Sequence, residues 1–173
     1  MTSLFIAHLA AVLLAALALW SMRHELGGKA ASRLDCSIPP LLAVLAAVVL
    51  LMVSPGKRPE LWVAAIAGGL AAGAAAGALL RVNQDHGHNL IRMAPAWDGV
   101  GAAAALLLLA LVRFVSSSLM GRQSSGFGVL AGGATFLATY IVARFVIVRF
   151  YKAPRSIHID MVRGQNPRRT LVH

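Results

Sequence analysis

Acidic residues are scarce in this 173-residue chain: six Asp and Glu stand against sixteen Lys and Arg, a formal net charge of +10. With so few carboxylates, none of them closely paired, acid–base chemistry by two neighbouring acids has no footing. A single cysteine, Cys36, excludes an intramolecular disulfide, a CxxC redox pair and a cysteine-rich metal site. No P-loop, HExxH, GxSxG or dinucleotide-binding glycine fingerprint occurs. Charge of either sign is low at 13 %, about half of what soluble domains carry, and aromatic residues make up only 6 %.

What fills the chain is apolar: 58 % hydrophobic residues and a mean hydropathy of +0.74. The apolar residues come in five blocks, Leu4–Trp20, Ile38–Val53, Leu61–Leu80, Gly99–Ser118 and Phe127–Val148. A helix needs about 20 apolar residues to cross a bilayer, and the blocks are too long and too continuous for strands. The expected fold class is therefore all-α, a polytopic bundle of five transmembrane helices spanning residues 1–148, with a basic tail over 149–173. Pro39 and Pro40 sit where a helix accepts proline, in its first turn. Ser54-Pro55-Gly56-Lys57-Arg58-Pro59 and Gly121-Arg122-Gln123-Ser124-Ser125-Gly126 are turns between blocks.

The first block comes after Met1-Thr2-Ser3, which brings no basic residue ahead of it, while Arg23, Lys29 and Arg33 lie beyond it. That order reads as a first span with its N-terminus outside rather than as a cleaved signal. With this orientation, eleven of the sixteen basic residues fall in the first loop, the third loop and the tail, and three fall on the other side. The positive-inside rule then places the C-terminus in the cytoplasm, and the expected location is a bacterial inner membrane.

The third loop, from Arg81 to Trp97, is the one connection with room for structure of its own. Asp85-His86-Gly87 reads as a turn between Val82 on one side and Leu90, Ile91 and Met93 on the other, so a short β-hairpin is expected. Trp97 marks the membrane boundary, and Asp98 is placed to cap the fourth helix.

Several residues are candidates for function. Gly69, Gly73 and Gly77 recur every four residues and make one smooth face on the third helix. Such a face lets a neighbouring backbone approach closely, inside the subunit or in a homo-oligomer. Gly128 and Gly132 of the fifth helix are candidates for the facing surface. Arg113 and Arg144 are charges inside the spans. Arg144 is expected to snorkel to the near surface, whereas Arg113 calls for a lipid phosphate, a bound anion, a partner or backbone carbonyls. His8 is the one histidine inside a span: a packing histidine first, a single axial cofactor ligand second. His86 and His88 form an HxH pair beside Asp85, a weak metal candidate beside the simpler reading of a polar turn. Asp35-Cys36-Ser37 reads as a helix start. In the tail, Arg149, Lys152, Arg155, Arg163, Arg168 and Arg169 are interspersed with apolar residues, among them Phe150, Tyr151, Ile157, Ile159, Met161 and Val162. Arginines in that company suit an anionic lipid surface or a membrane partner and not nucleic acid.

The order of features from Pro39-Pro40 to Lys152 resembles the CcdC-like family of small bacterial membrane proteins. A proline-opened helix and a proline-containing turn come first, then a small-residue helix ending Gly77-Ala78-Leu79-Leu80-Arg81. Next are the polar segment Asn83–Met93, a helix finishing Leu111-Val112-Arg113-Phe114 and a glycine-opened helix with a basic exit. The resemblance puts Arg113 on the family's arginine position and implies an association with cytochrome c maturation; that family offers no catalytic residues to carry over. The expected function is a non-enzymatic accessory or scaffold protein without a cofactor. The alternatives are a small transporter or permease component for an anionic solute, drawn by Arg113, and a membrane enzyme or cofactor-binding electron-transfer subunit built on His8 and the His86/His88 pair.

Overall fold

The computed structural model describes residues 2–26, 30–32, 35–54, 59–85, 90–93, 96–119 and 127–152. Among them, five helices are long and apolar enough to cross a membrane: α1 (Thr2–Ser21), α3 (Ile38–Val53), α4 (Pro59–Leu79), α5 (Trp97–Leu119) and α6 (Phe127–Val146). A single turn, α2 (Arg23–Leu26), comes after α1, and a 3-10 turn over Asp35–Ser37 leads into α3, with Pro39 and Pro40 buried in that helix's first turn. Helix α6 widens into a π-helical stretch over Ile147–Lys152.

In lipid the hydrophobic effect gives no drive for one helix to join another, so helices associate where small side chains let them come close. Alanine accordingly makes the interior. Ala11, Ala15 and Ala18 of α1, Ala43, Ala46 and Ala47 of α3, Ala103 and Ala110 of α5 and Ala134 and Ala138 of α6 are all buried. Leu50, Leu106 and Ile141 add bulk. The large side chains face out: on α1, Leu9, Leu13 and Leu17 line the face away from the alanines. Helices α1, α3, α6 and α5 form a closed ring, each packed on the next, and α4 lies outside it against α6.

The expected hairpin forms, and it is part of a larger sheet than the sequence suggests. Strands β2 (Val82–Asp85) and β3 (Leu90–Met93) pair antiparallel with Gln84 opposite Ile91. A third strand, β1 (Ala30–Ser32) from the first loop, pairs antiparallel with the other edge of β3, giving the order β1-β3-β2. The first and third connections are thus tied together at one end of the bundle. Val82 and Ile91 turn toward the helices and pack with Cys36 and Val148, flanked by Leu80 and Phe145.

Three boundaries differ from expectation. Helix α4 begins at Pro59, where proline's fixed φ suits a first turn. Helix α5 begins at Trp97, so Asp98 stands inside its first turn instead of ahead of it. The last span carries its helical path on to Lys152. His86, His88 and tail residues Arg155, Arg163, Arg168 and Arg169 lie outside the described residues.

Candidate functional site: a buried ion cluster at the sheet-bearing end

Arg144 is the centre of the most polar place in the bundle. It occupies the inward face of α6, one turn beyond Tyr140, and is 3 % exposed. Its guanidinium grips two carboxylates at once. Nη1 and Nη2 donate to Glu25 Oε1 and Oε2 at 3.2 and 2.9 Å, and Nε and Nη2 donate to Asp98 Oδ2 and Oδ1 at 2.9 and 3.3 Å. The Tyr140 hydroxyl donates to Asp98 Oδ2 at 3.1 Å. Glu25 is as deeply buried as Arg144, while the Asp98 side chain is 36 % exposed, so the cluster opens to its surroundings on the Asp98 side.

This arrangement corrects the expectation that Arg144 snorkels. An arginine near a helix end reaches for the surface when nothing of opposite charge lies nearer. Here α2 and the first turn of α5 bring carboxylates to the same depth, and their charge-assisted, bidentate contacts take the place of water around the guanidinium. Glu25 is the residue that sequence reasoning misses. It lies just beyond the first apolar block and therefore at the same end as Asp98 and Arg144, and matching depths across loops would find it. The cluster ties together α2, α5 and α6, elements far apart in the sequence.

Gly99 makes room for the cluster. A Cβ at this position would stand 2.8 Å from Arg144 Nη1 and 2.9 Å from Glu25 Oε2. Both atoms are held in a closed set of hydrogen bonds, so neither yields without breaking one. Gly99→Ala is expected to destabilise the protein by about 1–3 kcal/mol despite the better helix propensity of alanine. Thermal unfolding in detergent checks this, with Gly101→Ala, which meets open space, as the variant expected to be neutral or slightly stabilising.

Beside the ion cluster is a cavity of about 20 Å³, lined by Glu25, Arg144, Cys36, Ile91, Ile141 and Arg149 among others. That is room for one water. Arg149, expected on the lipid surface, turns back to the protein: its Nη1 donates to Ser37 Oγ at 2.7 Å, and its guanidinium stands 5.7 Å from the Phe145 ring and 5.6 Å from the Phe150 ring. Lys152 ends the π-helical stretch. At the same end, Arg23 lies over the exposed indole of Trp20 at 4.3 Å, a pairing suited to a membrane boundary.

The glycines of α4 are used inside the subunit. A Cβ on Gly69 would collide with the Phe136 carbonyl and Thr139, one on Gly73 with the Tyr140 carbonyl, and one on Gly77 would lie 2.9 Å from the Arg144 carbonyl. The face thus meets α6 one turn at a time, with the two helices running parallel. Gly128 and Gly132, expected to supply the facing surface, do not: a Cβ on either meets nothing within 4 Å. The facing groove is formed by the α6 backbone from Phe136 to Arg144.

The other candidates lie toward the opposite end. Arg113 is buried on the inward face of α5, and its Nη2 donates to the Val53 carbonyl at 3.2 Å, in the last turn of α3. Of the partners expected for it, the structure supplies a carbonyl at a helix C-terminus, where the helix dipole also favours a cation. His8 is buried, and its Nδ1 donates to the Leu4 carbonyl at 2.7 Å, leaving Nε2 without a hydrogen-bond partner among the described residues. No group of three His, Cys, Asp or Glu among the described residues is placed to hold a metal ion.

Comparison with known proteins found no matching family model, no matching curated protein and no matching solved structure.

Proposed function

We propose that this chain is a non-enzymatic accessory or scaffold protein of a bacterial inner membrane, with its N-terminus outside and its sheet-bearing end in the cytoplasm. The observation that carries this reading is the use to which the interior charge is put. Arg144, Glu25, Asp98 and Tyr140 satisfy one another, and the cavity beside them has room for a single water. Polar groups arranged in this way fasten helices to one another. A solute path needs a wider space, and a catalytic centre needs a group left available to its substrate. The basic bias of the same end, where the first loop, third loop and tail meet, supports contact with anionic lipid or with a membrane partner. The resemblance of the Pro39–Lys152 segment extends the proposal to a partner in cytochrome c maturation.

Native mass spectrometry of the protein extracted in mild detergent tests this reading. The expected result is a stable complex, with a second membrane protein or a second copy, carrying bound anionic lipid and no chromophore. A Soret absorbance band in the purified protein would instead establish a cofactor-binding subunit on His8. Anion uptake into proteoliposomes that disappears in Arg113→Gln would establish a transporter. Either result overturns the scaffold reading.

A further inference from the structure

We propose that Arg23 and Trp20 form the headgroup site of one bound anionic phospholipid, whose acyl chains lie along the leucine face of α1. The proposal rests on the orientation given above, in which this end of the bundle meets the anionic leaflet. Arg23 is a cation whose charge the fold does not meet. The α2 turn sends Glu25 inward, where it is 5 % exposed, and leaves Arg23 exposed. Glu25 is held by Arg144, and Asp98, the acid at the start of the neighbouring α5, is held by Arg144 and Tyr140. Among the described residues no carboxylate pairs with Arg23. Its guanidinium instead stands 4.3 Å from the Trp20 ring. Stacking covers one face of a guanidinium and leaves its N–H edge to an anion, and a phosphate accepts from that edge bidentately.

Position along α1 makes that phosphate a lipid's. Ala11, Ala15 and Ala18 turn into the bundle, while Leu9, Leu13, Leu17 and Trp20 point away from it, 41, 55, 53 and 64 % exposed. The rise from Leu9 to Trp20 is about 16 Å, which matches the roughly 15 Å hydrocarbon depth of one leaflet. An acyl chain packed on the leucines therefore brings its headgroup to the level of Trp20, where an amphipathic indole settles. Arg23 follows where the apolar face ends. Arg144, at the same end, is 3 % exposed and already holds two carboxylates, so it offers no competing site.

Native mass spectrometry of the full-length protein, released from nanodiscs of mixed phosphatidylglycerol and phosphatidylcholine, tests the proposal. The expected result is a phosphatidylglycerol adduct that falls about fivefold in Arg23→Gln, the effect of one arginine beside an anionic lipid. Trp20→Phe, which retains a ring for the guanidinium to stack on, is expected to keep more of the adduct than Trp20→Leu. Both side chains are exposed, so the variants are expected to unfold at the wild-type temperature. Equal adducts in wild type and Arg23→Gln overturn the proposal, as does a phosphatidylcholine adduct as strong as the phosphatidylglycerol one. Displacement of the adduct by inorganic phosphate also overturns it, and assigns the arginine to free phosphate instead. The adduct is counted on the mass of this chain, so its loss is distinguishable from the loss of a partner chain or the appearance of a chromophore, which bear on the scaffold reading.

Discussion

Arg144→Met is expected to destabilise the protein by about 3–5 kcal/mol, because it leaves the Glu25 carboxylate buried with no positive charge beside it. Both Glu25 oxygens are held by the Arg144 guanidinium, at 3.2 and 2.9 Å, and the Glu25 side chain is 5 % exposed. Asp98 loses the same partner but retains the Tyr140 hydroxyl and its access to the outside, so most of the loss arises at Glu25. The decisive measurement is a double-mutant cycle with Glu25→Gln, read by reversible unfolding in detergent. Removing both charges leaves no unpaired ion at the buried Glu25 position, so the double variant is expected to recover part of what Arg144→Met loses. A snorkelling arginine predicts the opposite pattern: a small loss for Arg144→Met, none for Glu25→Gln, and simple addition of the two. Additive effects would show that the cluster does not fasten α2, α5 and α6.

The five spans are legible in the sequence because each depends only on local composition: blocks such as Ile38–Val53 and Phe127–Val148 are long and apolar, and each opens beside proline or glycine. The β2–β3 hairpin is legible for the same reason, since the turn signal Asp85-His86-Gly87 begins at the last residue of β2. Strand β1 is not. Three residues, Ala30-Ala31-Ser32, carry no period of their own and become a strand only because β3 offers an edge. The ion cluster is hidden in a similar way. Arg144 is visible as a charge inside a span, but its partners lie 119 and 46 residues away. The topology itself contains the missing step: the first loop, the start of α5 and the end of α6 share one side, so Glu25, Asp98 and Arg144 share one depth. For Arg113 the same reasoning finds no acid, and its partner is a backbone carbonyl of Val53, which sequence does not mark. Glycine spacing identifies a packing face correctly and its partner incorrectly. Spacing shows that a backbone can come close; which backbone does so is decided by the order of helices around the bundle.

That last distinction yields a second large effect. Gly73→Leu is expected to lose more than the roughly 1–3 kcal/mol typical of overpacking, because the atom it strikes is the Tyr140 carbonyl, a backbone group that no rotamer change can move. Helix α4 packs principally on α6, so it has no second interface to hold it in place when the first is forced apart. The expected outcome is displacement of the whole helix. A cysteine pair at positions 68 and 136, where a Cβ on Gly68 would stand 3.3 Å from the Phe136 ring, introduced in a Cys36→Ala background, would report it as lost cross-linking, alongside a lower unfolding temperature. Gly73→Ala is expected to show the same change in smaller measure, since a single Cβ already collides. Gly128→Ala and Gly132→Ala supply the contrast: a Cβ at either position meets nothing within 4 Å, so each is expected to leave unfolding and cross-linking close to wild type. If Gly73→Leu preserved α4 against α6 but altered the oligomeric mass seen by native mass spectrometry, the glycine face would belong to an interface between copies. If Gly128→Ala were instead the damaging change, α6 would meet its neighbour through its own glycines, and the groove from Phe136 to Arg144 would not be the surface on which α4 rests.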